Sequence, residues 1–126
     1  MDFRITEEQE LLLEGLRELM DRECSEDYIR KCDEEGRPPI EFYKALVDNG
    51  YGLLGCPESV GGTPVDNLTL MLVKEEICHL GGPIHALTSM FHIDMMKEYG
   101  TEEQLEKCMA EINEGRMPFC SGFSEP

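Results

Sequence analysis

The sequence predicts an all-α domain: about six helices in an orthogonal or up-down bundle, followed by a short extended C-terminal segment. Three observations predict it. The string Thr-Glu-Glu-Gln occurs twice, at 6–9 and 101–104. Each copy spells a capping box, in which the threonine hydroxyl accepts from a first-turn N–H and the glutamine reaches back. Apolar residues after these caps recur at helical spacing. Glycine and proline punctuate the chain between such stretches and are scarce within them.

The elements follow in order. After Thr6, residues Leu12, Leu16, Leu19 and Met20 share one face, so 7–23 form an amphipathic helix. Ser25 caps a shorter helix over 26–34 that Gly36 ends. Pro38-Pro39 opens a third over 39–48, with Phe42, Leu46 and Val47 on one face, closed by Asn49-Gly50. Residues 51–64 are rich in glycine and proline and read as a loop. Asn67 caps a fourth helix over 68–80, ended by Gly81-Gly82. Pro83 starts a fifth over 83–99, stopped by Gly100, and Thr101 caps a sixth over 102–114, ended by Gly115. The two capping strings are convergent helix-start chemistry, not an internal repeat. Residues 117–126 are apolar and read as the start of a strand with no partner in the sequence. A lone strand leaves its backbone groups unpaired, which hints at a larger protein.

Composition narrows the function classes. The chain has 126 residues, one domain's length, with 27 Asp and Glu against 11 Lys and Arg. A net charge of −16 repels phosphate backbones and anionic lipid, so nucleic acid and membrane surfaces are poor partners. No apolar run approaches the roughly 20 residues of a membrane span. The opening Met1-Asp2-Phe3-Arg4 lacks the pattern of a signal peptide, so the expected location is the cytoplasm. The six cysteines, 24, 32, 56, 78, 108 and 120, include no close pair. They are expected to be reduced thiols, mostly packed in the core.

Few residues announce chemistry by themselves. His85 and His92 lie two turns apart, about 10.5 Å along a helix, too far to share an ion, so no metal site is expected. The carboxylates read as solvated helix faces and first-turn charges, with no general base among them. No dinucleotide fingerprint, phosphate loop or nucleophile elbow occurs. The fifth helix stands out: Ile84, Leu87, Met90, Phe91, Met95 and Met96 make it apolar over most of its circumference. Such a helix is buried between others or lines an apolar cavity. Methionines suit the irregular wall of either.

Three ordered strings resemble the acyl-CoA dehydrogenase family. Pro57-Glu58-Ser59-Val60-Gly61-Gly62 resembles its Pro-Glu-x-x-Gly-Gly loop. Gly100-Thr101-Glu102-Glu103-Gln104 resembles its Gly-Thr/Ser-x-x-Gln helix start, and Ser124-Glu125-Pro126 resembles its Thr-Glu-Pro. With Glu8-Gln9-Glu10-Leu11 in the first helix, the resemblance covers essentially the whole chain. Within the family, Met1-Asp2-Phe3, Arg17-Glu18-Leu19-Met20, Cys32-Asp33 and Lys44-Ala45-Leu46 look most like the crotonobetainyl-CoA reductase branch.

The resemblance implies an FAD enzyme of fatty acid or carnitine metabolism. In that family a carboxylate removes the α-proton of an acyl-CoA thioester while the β-hydrogen leaves as hydride to the flavin, or the reverse in a reductase. It implies an N-terminal helical domain at 1–116 and, at 117–126, the start of a middle β domain. That domain and a C-terminal helical bundle are missing. The family's catalytic glutamate belongs to the bundle, so no catalytic residue is expected here and the isolated chain should be inactive. An electron-transfer flavoprotein-type carrier and homo-oligomeric assembly are also implied.

The implied cofactor-binding residues are Ser121, Phe123 and Ser124. Residues 121 and 123 share one side of a strand, and 124 faces the other. The implied substrate-binding residues are Ile84, Leu87, Thr88 and Phe91, one stripe at i, i+3, i+4 and i+7. Ser124 replaces the family's threonine, keeping the hydroxyl and losing a methyl. Phe123 is bulkier than the family's usual aliphatic and is expected to reshape the pocket. The rival reading is a free-standing helical interaction module without flavin. A fragment with exposed apolar surfaces is expected to self-associate or swap its last ten residues.

Overall fold

Six α-helices make up most of the computed structural model, which describes residues 4–83 and 89–120, and of 89–91 the backbone only. They are α1 (Glu7–Glu23), α2 (Glu26–Glu34), α3 (Ile40–Asp48), α4 (Asn67–His79), α5 (Ser89–Tyr99) and α6 (Glu102–Asn113). A single 3₁₀ turn, Glu58–Val60, interrupts the loop before α4. No strand occurs among the described residues, and the loop holds one isolated bridge between Leu54 and Thr63.

Both capping boxes form. Thr6 accepts from the Gln9 N–H and Gln9 accepts from the Thr6 N–H, and Thr101 and Gln104 repeat the exchange. One helix start differs from expectation. The cap of α4 is Asp66, whose Oδ1 accepts from the Thr69 N–H at 2.7 Å, and Asn67 is already helical. The ionised carboxylate is the stronger acceptor for a first-turn amide. Pro83 lies in no helix, and α5 as described begins at Ser89; residues 84–88 lie outside the described residues. Gly82 is wedged against Ile77 and Met20, where an added Cβ would sit 2.7 Å from Ile77 Cγ2. The chain is therefore still closing α4 when it reaches Pro83.

Helix α3 starts without a side-chain cap of its own. A neighbour substitutes: the Tyr28 hydroxyl accepts from the Phe42 N–H at 3.4 Å and donates to Glu41 Oε2 at 2.7 Å. Arg37 donates to the same carboxylate at 2.9 Å. These contacts, the Tyr28 hydroxyl first, lower the Glu41 pKa to about 2.

Two apolar clusters hold the helices. The larger joins α1, α3 and α4 through Leu13, Leu16, Met20, Phe42, Leu46, Leu70, Val73 and Ile77, among others. The smaller joins Leu53 and Cys56 of the loop to Ile93 of α5 and Ile112 of α6. Helices α1 and α4 run parallel, because Gln9 Nε2 donates to Thr69 Oγ1 at 2.9 Å and Arg17 Nε meets Glu76 at 2.6 Å. Parallel packing sets two positive helix ends side by side, and the caps at Thr6 and Asp66 offset that cost.

Two expectations about burial need correction. Cys24, Cys32 and Cys56 are buried, whereas Cys78 and Cys120 are exposed and Cys108 is half-buried; all six are free thiols. Only half of them therefore serve the core. Helix α5 buries Ile93 completely, but Met95 is 47% exposed and Tyr99 77%. Its apolar residues are not all covered by this chain.

Candidate functional site

The loop carrying Pro57-Glu58-Ser59-Val60-Gly61-Gly62 forms a rigid floor beneath α5. Its amides are spent internally: Val60 and Gly62 donate to the Pro57 carbonyl, Gly61 to Glu58, and Gly55 to Thr63. Gly61 adopts φ +80°, and at Gly62 an added Cβ would lie 2.4 Å from the Cys56 carbonyl oxygen. The first glycine supplies a left-handed turn and the second supplies space. The loop then grips α5 twice. Cys56 and Leu53 pack with Ile93, and Lys97 Nζ donates to Ser59 Oγ at 2.8 Å.

The segment leaving α6 crosses to the same helix. Gly115 turns it at φ +76° against the backbone of α3, where a Cβ would meet the Ile40 carbonyl oxygen at 2.4 Å. Gly115, Met117 and Phe119 then face inward while Arg116, Pro118 and Cys120 are exposed. This two-residue alternation is that of an extended chain, without a strand partner among the described residues. Met117 packs on the larger cluster and Phe119 on the smaller. The Phe119 ring stacks on His92 of α5, with centroids 4.8 Å apart and planes 8° from parallel.

None of the expected site residues can be placed by side chain. Ile84, Leu87 and Thr88 lie outside the described residues, as do Ser121, Phe123 and Ser124. Phe91 is described only as backbone in the first turn of α5. What the structure brings together is the ground they start from: His92 follows Phe91, and Phe119 precedes Ser121 by two residues. Sequence reading did not find His92, Phe119, Ile93, Lys97 or Ser59 as contacts. The 27-residue separation of His92 and Phe119 carries no periodic signal that pairs them.

Electrostatics match a wall better than a reaction centre. The carboxylates with a resolved shift, Glu41, Asp66 and Glu111, all move down. The Tyr28 hydroxyl leads at Glu41, the Thr69 amide at Asp66 and the Arg116 guanidinium at Glu111. A base working near neutrality needs the opposite direction. Burial raises the Cys24 and Cys56 thiols to about 11, which makes them packing groups and not nucleophiles. No three potential metal ligands cluster among the described residues. A cavity of about 360 Å³ lies between the starts of α1 and α4, lined by Thr6, Gln9, Leu12, Val65, Asp66 and Thr69. Another of about 260 Å³ lies beside Ile40, Tyr43 and Met117.

Comparison with known proteins gives a consistent answer. Residues 6–116 match the family described as acyl-CoA dehydrogenase, N-terminal domain. The chain is 42% identical, over its whole length, to the probable acyl-CoA dehydrogenase YdiO of Escherichia coli K12. Proteins of the same name in the O6:H1 and O157:H7 strains match equally. The chain spans 33% of the length of these relatives. No solved structure matches it. No helix among the described residues is long and apolar enough to cross a membrane. The rigid glycine loop, the capped α6 and the match across residues 6–116 together show that the chain belongs to the acyl-CoA dehydrogenase family, as its N-terminal helical domain.

Proposed function

We propose that this chain builds one wall of the acyl and flavin pocket in an FAD-dependent acyl-CoA dehydrogenase or reductase of the cytoplasm. Residues 1–116 are the helical domain, and 117–126 lead into a β domain. The observation that carries the reading is the convergence on α5: the chain leaving α6 is laid against His92, next to Phe91. The two sets of expected site residues therefore begin from adjacent positions, Phe91 and His92, on one helix.

Ile84, Leu87, Thr88 and Phe91 line the acyl chain and exclude water from it. Ser121, Phe123 and Ser124 offer hydroxyl and backbone groups to the ring of the cofactor. That donor set fits a neutral, hydrogen-bonding isoalloxazine. It contains no cation for a diphosphate, and Arg17, Arg22, Arg30, Arg37 and Arg116 are each paired with carboxylates of this same chain. The phosphates of FAD and of CoA are held by cations from elsewhere in the protein or its partner copy. When bound, FAD supplies the two-electron acceptor or donor for the acyl chain. The base is assigned by the family resemblance to sequence other than this chain, and the carboxylates with a resolved shift here, Glu41, Asp66 and Glu111, are all more acidic than usual.

The full-length protein that carries this chain tests the reading. It is expected to purify yellow, to change colour with an acyl-CoA, and to pass electrons to a flavoprotein-type carrier as a homo-oligomer. A colourless protein that takes up no FAD would overturn it in favour of a helical interaction module.

A further inference from the structure

We infer that His92 and Phe119 are a positioning pair: their stack fixes where the chain leaving α6 meets α5, and so fixes the spacing of the two expected site segments within this one wall. The inference rests on the function proposed above and adds two residues to it. The exit segment is held at three points that alternate along an extended chain. Gly115 is fixed against α3 by lack of space, Met117 by the larger cluster, and Phe119 by His92. The first two set its origin and direction. The third, Phe119, ties it to α5, the helix expected to carry the acyl-chain residues. The rings are parallel to within 8°, with centroids 4.8 Å apart, farther than the contact distance between two ring faces. Both values lie within the range of aromatic stacking, in which sliding along the segment costs contact. His92 is only half-buried, and its helical neighbour Ile93 is fully buried against Cys56, Leu53 and Ile112. The imidazole is thus mounted on a fixed base.

Four variants of the full-length protein test this: His92→Ala, Phe119→Ala, Phe119→Leu, which keeps apolar bulk without a ring, and His92→Phe, which keeps the stack without the imidazole. The first readout is the rate of tryptic cleavage after the exposed Arg116 in the apoprotein. The second is the absorption and circular dichroism of bound flavin, with kcat and KM measured separately. Both alanine variants and Phe119→Leu are expected to raise the cleavage rate about twofold to tenfold. They are also expected to shift the flavin spectrum and lower kcat more than they raise KM. His92→Phe is expected to restore all of these. Two results would overturn the pair. One is an unchanged flavin spectrum and kcat in the alanine variants of a yellow protein. The other is His92→Phe behaving like His92→Ala. A colourless unmutated protein refutes the function proposed above and the pocket role of the pair with it, and so differs from either result.

Discussion

The two halves of the molecule are built to different standards. Around α1, α3 and α4, thirteen described residues form one buried cluster, and the polar contacts there are tied into it. Gln9 shows this: it completes the α1 cap, is itself buried, and donates across to Thr69 in the first turn of α4. Around the glycine loop, α5 and α6, the described cluster has four buried residues. The fixing there comes from single contacts, such as Lys97 on Ser59 and His92 on Phe119. The first region secures the fold by burial. The described part of the second region relies on fewer buried residues and more single contacts, and is expected to open at lower free-energy cost.

The largest effect expected is in the first region. Phe42 is fully buried at the meeting of α1 and α3. Phe42→Ala should cost about 3–5 kcal/mol in denaturant unfolding, with protection lost across all helices in hydrogen exchange. Ile93→Ala should cost about 2–4 kcal/mol, with loss of protection concentrated in α5 and α6. Equal loss in α1 would break the comparison.

Smaller effects sharpen it. Gln9→Ala leaves the buried Thr69 hydroxyl without its donor and should cost about 1–3 kcal/mol. Thr6→Ala and Thr101→Ala remove chemically identical caps, each expected to cost about 1 kcal/mol. Thr6→Ala should cost more, because its Gln9 partner is also the bridge to α4. Equal melting points for the two variants would show that the bridge adds nothing. The smallest effect concerns Glu41. Its pKa in the fold, about 2, lies below the ordinary 4.5, so its contribution is present above pH 4.5 and is lost as pH falls towards 2. The side chain is 66% exposed, so the loss should stay below about 1 kcal/mol. Glu41→Gln should flatten the stability profile in that window and leave it unchanged near neutrality.

The same division marks what the sequence reveals. Local chemistry is legible: two four-residue strings spell two capping boxes, and apolar spacing places all six helices to within a residue or two except at the start of α5. Asn67 and Asp66 are both good caps, and only the geometry of the first turn chooses between them. Pro83 carries a helix-start signal whose outcome lies outside the described residues, since 84–88 are not among them. The extended character of 117–120 is legible because the segment is apolar and too short for another helix, but among the described residues its partner is a helix side chain. The fourfold use of Gln9, Thr69, His92 and Phe119 is illegible, because their partners lie 60 and 27 residues away and no short-range pattern encodes such distances. The family resemblance reaches the site by a different route, through motifs whose order reflects shared ancestry and not local physics.

The central claim is that this chain is one wall of a pocket completed by other sequence. Its most direct test is the structure of the full-length protein with FAD and an acyl-CoA bound. The account predicts Ile84, Leu87, Thr88 and Phe91 within about 4 Å of the acyl chain, and Ser121–Ser124 against the isoalloxazine. An acyl chain and flavin bound with no contact to either segment would contradict it.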